Sequence, residues 1–210
     1  MSNKEITVIL LLYKTPNHLL ENLKIYKNFD LLILDQSNDF ILKKKLNKLL
    51  PNIKYYKVSN ENLGFANGVN FLVKKVKTKY FLCTQPDVIV TEKDIINLKR
   101  SFLSKKDCVI SIPTFYKKTR SVISPVKHFI GAIFLSDTQR FNRLKGFDKN
   151  FFFYWEDIDL SHRINFSKYQ IYSNSFSYAR HLSGKSTIFN FKTFFLKNSN
   201  FKFGEYLFQH

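Results

Sequence analysis

Residues 62–87 read NLGFANGVNFLVKKVKTKYFLCTQPD, and the periodicity of the pattern changes partway along. From Phe65 to Val76 the apolar positions Phe65, Val69, Leu72, Val73 and Val76 recur every three or four residues, which places them on one stripe of a helix with Gly64 at its entry. From Tyr80 to Cys83 the run is short and continuously apolar, as expected of a strand buried on both faces. The strand runs into Gln85-Pro86-Asp87, where proline fixes the backbone and holds one carboxylate beyond the strand's end.

The same alternation extends to both sides. Short runs rich in Ile, Val, Leu and Phe at Ile6–Leu12, Leu31–Leu34, Ile53–Val58, Val109–Ile112 and Phe129–Leu135 predict further strands, and Asn17–Tyr26, Ile41–Leu50 and Glu92–Leu103 carry helical spacing. This order predicts an α/β fold with a mainly parallel central sheet flanked by helices. Beyond Leu135 the strand rhythm fades, and residues 146–160 become dense in aromatics and carboxylates. The expected organisation is one domain over residues 1–186. A basic, Phe-rich tail over 187–210 would pack on that domain, on a second copy in a homodimer, or on a membrane surface.

Bulk properties narrow the function. A chain of 210 residues with 44% hydrophobic residues can bury one substantial core. A net charge of +18 favours anionic partners such as nucleotides, phospholipid surfaces or nucleic acid, even after allowing for a Lys-, Asn- and Phe-rich compositional bias. Cys83 and Cys108, each in or beside an apolar run, are expected as reduced core thiols. The run Ile6–Tyr13 is too short to span a membrane and is not followed by a signal-peptide cleavage pattern, so a cytoplasmic location is expected, peripheral on the inner face of the cell membrane if the tail binds lipid. There is no glycine-rich dinucleotide fingerprint, P-loop, nucleophile elbow or paired Cys/His zinc spacing.

Ligands of open α/β sheets gather at the carboxyl ends of the strands, which draws attention to three clusters. Asp35-Gln36-Ser37-Asn38-Asp39 follows the second strand and could meet a base or ribose hydroxyl, or simply form a turn and helix cap. Asp87 could give a hard oxygen ligand to Mg²⁺ or Mn²⁺. Glu156-Asp157-Ile158-Asp159-Leu160 follows five consecutive aromatics, Phe151 to Trp155. If a helix starts there, its positive end favours ionised carboxylates while apolar neighbours oppose ionisation, a combination that can poise a general base. Asp159 and Arg163, four residues apart, are expected to pair on one helical face.

Taken in order, these blocks resemble family 2 glycosyltransferases of the GT-A fold, in particular the bacterial rhamnosyltransferase-like branch. The similar elements are Val8–Tyr13, Asp35-Gln36-Ser37, Asn62-Leu63-Gly64-Phe65-Ala66-Asn67-Gly68-Val69-Asn70, Gln85-Pro86-Asp87, Gly131-Ala132, Gly146-Phe147-Asp148, Glu156-Asp157-Ile158-Asp159-Leu160, and His181 with Gly184 and Ser186. The resemblance implies inverting transfer of a sugar from a nucleotide-diphosphate donor, dTDP-rhamnose or a UDP-hexose, to a saccharide acceptor, lipid-linked or free, in bacterial surface polysaccharide or lipopolysaccharide synthesis. It implies Asp157 as the catalytic base, with Asp35, Ser37, Asn62, Gly64, Asn67, Asn70, Gln85 and Asp87 on the donor side. Gly131, Ala132, Trp155 and Glu156 would be on the acceptor side, and Asp87 with His181 on Mg²⁺ or Mn²⁺. Gln85 departs from the family's two-carboxylate form and leaves a single carboxylate for the cation. Two other readings compete: a nucleotide-sugar-binding protein without turnover, and a nucleic-acid-binding protein, against which the spread of basic residues and the missing motifs argue.

Overall fold

The computed structural model describes residues 3–116, 120–187 and 191–209, apart from the side chains of Lys192 and Thr193; Phe189 and the Lys192 side chain of the tail pattern lie outside the described residues. The chain runs β1 (Ile6–Leu12), a 3-10 helix (Asn17–Tyr26), β2 (Asp30–Asp35), α1 (Phe40–Leu49), β3 (Ile53–Val58), α2 (Gly64–Val73), β4 (Tyr80–Thr84), β5 (Val88–Val90) and α3 (Glu92–Ser104). It continues through β6 (Cys108–Thr114), β7 (Ile123–Val126), β8 (Ile133–Asp137), α4 (Thr138–Arg143), α5 (Glu156–Asn165), β9 (Gln170–His181) and α6 (Phe191–Gln209).

The strands form one sheet in the order β3-β2-β1-β4-β8-β6-β9-β5, with β7 pairing β9. The first half is parallel, as the alternation predicts, with β1 flanked by β2 and β4 and β3 beside β2. The expectation of a mainly parallel sheet needs correction, because the sheet is mixed. β8 runs antiparallel between β4 and β6, and β9 pairs antiparallel with β5 and β7 but parallel with β6.

Two sequence expectations shift locally, and one strand has no counterpart among them. The expected strand at Phe129–Leu135 begins only at Ile133, and the residues before it form a loop that enters the sheet from the site edge. Asn17–Tyr26 winds as a 3-10 helix, since the buried Leu19, Leu20, Leu23 and Tyr26 suit either winding. β9 has no apolar signature because Asn174 and Ser177 are wholly buried in it. Asn174 donates to the Asn97 carbonyl at 2.9 Å and to Ser101 at 3.1 Å, while Asn97 donates to the Phe176 carbonyl at 2.8 Å, so α3 is bonded to β9 through polar groups.

Two apolar layers sandwich the sheet. One joins Val8, Leu10 and Leu12 to Leu23, Leu42, Leu46, Ile95 and Leu98; the other joins Ile9, Leu34 and Phe81 to Phe65, Val69, Leu72, Phe134, Phe147 and Leu160. In the second layer Phe81 meets Phe141 edge-on at 5.0 Å between ring centroids, a geometry that adds to the stabilisation from burial alone. Cys83 and Cys108 are buried free thiols within this framework. α6 lies against the aromatic segment ahead of α5. Phe201 is 5.7 Å from both Tyr154 and Trp155, and Phe208 is 5.6 Å from Trp155.

Candidate active site

Because β1, β2 and β4 are parallel, their carboxyl ends at Leu12, Asp35 and Thr84 share one edge of the sheet. β8 starts at that edge too, with Ile133 opposite Thr84, so the loop bearing Gly131 and Ala132 lies beside it. A groove opens there, lined by residues that include Leu12, Tyr13, Gln36, Asn62, Gly64, Phe65, Gln85, Phe153, Ser186 and, from α6, Lys197 and Asn200.

The entrance to α2 is fixed by a few close contacts. Gly64 has φ +76°, and a Cβ there would stand 2.1 Å from the Phe152 carbonyl oxygen, so only glycine fits. Phe65 N–H donates to that same carbonyl at 2.7 Å. The Asn62 carboxamide accepts from Gly64 N–H at 3.0 Å. Gln36 accepts from Leu63 N–H at 2.7 Å, joining the Asp35-Gln36-Ser37 cluster to the Asn62–Asn70 block. Asp35 itself is fully buried, accepting from Ser37 N–H at 2.9 Å and from the Tyr56 hydroxyl at 3.1 Å. Burial pushes its carboxyl up, against the pull of Ser37 and Tyr56. Ser37 accepts from Lys14 N–H.

Asn62, Gly64 and Gln85 thus come together on the groove, whereas Asn67 and Asn70 line a separate hollow with Lys145 and Lys149. There Asn70 brackets the Phe147 backbone, donating to its carbonyl at 2.8 Å and accepting from its N–H at 3.0 Å, and Asn67 donates to the Lys149 carbonyl at 3.1 Å.

Asp87 is buried under the turn that follows β9. Its Oδ2 accepts from Lys185 and Ser186 N–H, each at 3.0 Å, and its carbonyl accepts from Leu182 N–H at 2.9 Å. The antiparallel register of β5 on β9 sets Val88 opposite His181 and brings His181 Nε2 to 3.6 Å from Asp87 Oδ2, too far for a hydrogen bond. Burial raises the Asp87 carboxyl, but the neighbouring His181 imidazole and the backbone N–H donors outweigh it and hold the group below its ordinary value. Asp87 Oδ1 and His181 Nε2 are buried with no hydrogen-bond partner among the described residues. A bare oxygen and a bare nitrogen on two neighbouring side chains are of the types that ligate a divalent cation. No cluster of three or more His, Cys, Asp or Glu occurs among the described residues, so other ligands would come from a bound diphosphate or water.

The third cluster starts α5. Tyr154 and Trp155 have φ values of 74° and 71°, two successive left-handed non-glycine residues that turn the chain sharply into the helix. Asp157 then accepts from Gly131 N–H at 2.9 Å through Oδ2 and from Ile158 N–H at 2.9 Å through Oδ1. Burial pushes its carboxyl up, only partly offset by those two N–H groups and by the charge of the exposed His128. Glu156 is more deeply buried, its Oε2 has no hydrogen-bond partner among the described residues, and burial together with the Asp157 charge raises it to about 8.

Asp159 does pair with Arg163, at 2.6 Å, and Arg163 also donates to the carbonyls of Leu144 and Gly146 at 2.6 and 2.8 Å. This carboxylate therefore locks the turn before residue 147. Gly131 packs on Phe65, where a Cβ would be 3.2 Å from the ring, and Ala132 is buried in the core. Trp155 is covered by α6, and its indole N–H is buried with no hydrogen-bond partner among the described residues. Gln36, the aromatics Tyr13 and Phe153, and the α6 residues complete the groove. Gln36, Tyr13 and Phe153 lie in stretches that the sequence marks without giving them a role in the site, and Lys197 and Asn200 meet the groove only through tertiary packing.

The mixed α/β sheet with its groove at the carboxyl edge of the parallel strands has the architecture of the GT-A glycosyltransferase fold. The model of glycosyl transferase family 2 matches residues 8–200, and the chain belongs to that family. No curated relative matches it by sequence.

Among solved structures it is similar to GalNAc-T7 with UDP, GalNAc and Mn²⁺, at TM-score 0.70 and 14% identity, covering 84% of this chain and 42% of that one. It is similar to residues 1–349 of TarS from S. aureus, at TM-score 0.65 and 14% identity, covering 84% and 60%. It is also similar to the mannosyltransferase PcManGT from Pyrobaculum calidifontis in complex with GDP-Man and Mn²⁺, at TM-score 0.67 and 15% identity, covering 86% and 58%. At such identities the likeness is one of fold, and the chain spans between 42% and 60% of the length of these structures.

Proposed function

We propose that the chain transfers a sugar from a nucleoside-diphosphate donor to a hydroxyl of a saccharide acceptor with inversion at the anomeric carbon, and that Asp157 is the base. The acceptor oxygen attacks the anomeric carbon and gives its proton to Asp157, while the bond from that carbon to the diphosphate breaks and its electron pair leaves with the diphosphate. The supporting observation is Asp157 itself, a half-buried carboxylate raised above its ordinary value yet oriented by Gly131 and Ile158. Asp87 and His181 would hold Mg²⁺ or Mn²⁺, which when bound neutralises the departing diphosphate. Two neighbours of like fold carry Mn²⁺ with UDP or GDP-Man, which supports this choice of cofactor and donor class. Thermal-shift titration with UDP-, GDP- and dTDP-sugars, with and without Mn²⁺, tests the reading: one base should stabilise the fold more with the metal, and no response to any donor contradicts it.

Within the family the rhamnosyltransferase-like branch fits best, on the single-carboxylate Gln85-Pro86-Asp87 turn, so dTDP-rhamnose leads the donors to test and the UDP-hexoses follow. The acceptor fits a lipid-linked saccharide of surface polysaccharide synthesis on the cytoplasmic face of a membrane. Phe191, Phe195 and Phe203 of α6 are 83%, 65% and 53% exposed on a strongly basic chain, a combination that suits an anionic lipid surface. No helix of the described residues is long and apolar enough to cross a membrane. Replacing these three phenylalanines with serine should abolish sedimentation with vesicles of phosphatidylcholine and phosphatidylglycerol, and unchanged sedimentation contradicts the membrane site.

A further inference from the structure

The C-terminal helix forms a wall of the groove. Its register is set where Gly204 meets Trp155, since a Cβ at Gly204 would come within 2.8 Å of Trp155 Cδ1, and by Phe201 and Phe208 on either side. Seven and four residues earlier on the same helical face, Lys197 and Asn200 turn into the groove, with Leu196 beside them. Lys197 Nζ reaches the Gly184 carbonyl at 3.4 Å. That carbonyl belongs to the turn whose next two N–H groups, of Lys185 and Ser186, hold Asp87 Oδ2. The ammonium therefore stands over the turn that seats Asp87, on the side facing Gln85, Ser186 and Thr187. Its contact is to a neutral carbonyl, and no carboxylate lies within ion-pair distance of it among the described residues.

Gln85, which also lines the groove, is uncharged, so this edge of the groove offers an anion one carboxylate fewer than a two-carboxylate turn would. We propose that Lys197 is a donor-binding residue that takes the diphosphate of the sugar nucleotide, supplying from the C-terminal helix a fixed positive charge beside the Asp87 turn. This rests on the nucleotide-sugar reading given above. An ammonium on a phosphate makes a charge-assisted hydrogen bond, of the stronger kind, and it does so with or without a metal.

The test is calorimetric titration of UDP, GDP and dTDP, and of the nucleosides uridine, guanosine and thymidine, into the wild type and into Lys197→Ala, Lys197→Gln and Lys197→Arg, without added metal. Lys202→Ala is the control on the same helix, as Lys202 is exposed and paired with Glu205 at 3.1 Å. For the diphosphate the wild type binds tightest, Lys197→Ala and Lys197→Gln should weaken binding by about 10-fold or more. Lys197→Arg should recover most of it, and nucleoside binding and the Lys202→Ala protein should be unchanged. If the wild type binds a diphosphate and the Ala and Gln variants bind it equally well, Lys197 has no such role and the donor reading stands. If the wild type binds none of the three, the donor reading falls and this assignment with it.

Discussion

His181 Nε2 stands 3.6 Å from Asp87 Oδ2 because β9 pairs antiparallel with β5 and sets His181 opposite Val88. One carboxylate oxygen accepts from the Lys185 and Ser186 N–H groups, and the other, like the imidazole nitrogen, has no hydrogen-bond partner among the described residues. The pair is thus rigid on one side and open on the other. Asp87→Asn should keep the fold, since the amide oxygen can still accept those N–H groups, but should lose most of the gain in nucleoside-diphosphate affinity that Mn²⁺ gives, by about 10-fold or more. His181→Ala should lose part of it. Titrations with and without Mn²⁺ measure the difference, and an undiminished metal effect in Asp87→Asn would remove Asp87 from the metal site.

Glu156 should make stability depend on pH. Burial first, and the Asp157 charge second, raise its carboxyl from 4.5 to about 8. Between those values the folded chain holds a proton that the unfolded chain has released, so stability should fall as pH rises through this window and level off above it. Asp157, also raised, adds to the same slope at lower pH. Glu156→Gln should flatten the profile and be the more stable protein at pH 8, by an amount on the order of a few kcal/mol. Thermal melts from pH 5 to pH 9 provide the check, and parallel profiles for the two proteins would contradict the assignment.

Asp159 and Asp157 differ by two residues yet carry different work. Removing Asp159 leaves Arg163 without its carboxylate and loosens its hold on the Leu144 and Gly146 carbonyls. Asp159→Ala should cost about 1–3 kcal/mol of stability while leaving donor affinity within a few-fold. Urea denaturation alongside a nucleoside-diphosphate titration separates the two effects.

Gly64→Ala should be among the most damaging single changes, because the new Cβ would overlap the Phe152 carbonyl and the backbone already has φ +76°. The expected loss is about 3 kcal/mol or more, or failure to fold, seen as a lowered denaturation midpoint. A midpoint equal to that of the wild type would show that the loop before α5 yields freely.

The first half of the fold was legible because its strands are buried on both faces and its helices carry one apolar stripe, so period alone separates them. β9 was not, because its interior carries the buried polar residues Asn174 and Ser177, of which Asn174 is satisfied by α3 and the Ser177 carbonyl by Thr114 of β6. The mixed sheet followed from β8, whose direction depends on where the loop after β7 re-enters, a tertiary matter. At the site, Asp87, Asp157 and the Asp159–Arg163 pair could be picked out locally. Asn67 and Asn70 show the limit: helical spacing turns them from the groove to the Phe147–Lys149 backbone. Lys197 and Asn200 reach the groove only because Gly204 lets α6 settle on Trp155.

The central claim is that Asp157 removes a proton from the attacking hydroxyl. The most direct measurement compares the wild type with Asp157→Asn for release of nucleoside diphosphate from the best-bound sugar nucleotide in the presence of saccharide acceptors, together with donor affinity. Asn keeps an oxygen for the Gly131 or Ile158 N–H but cannot take up the proton, so release should fall by about 100-fold or more while donor affinity stays within a few-fold. Release at the wild-type rate by Asp157→Asn would contradict the account.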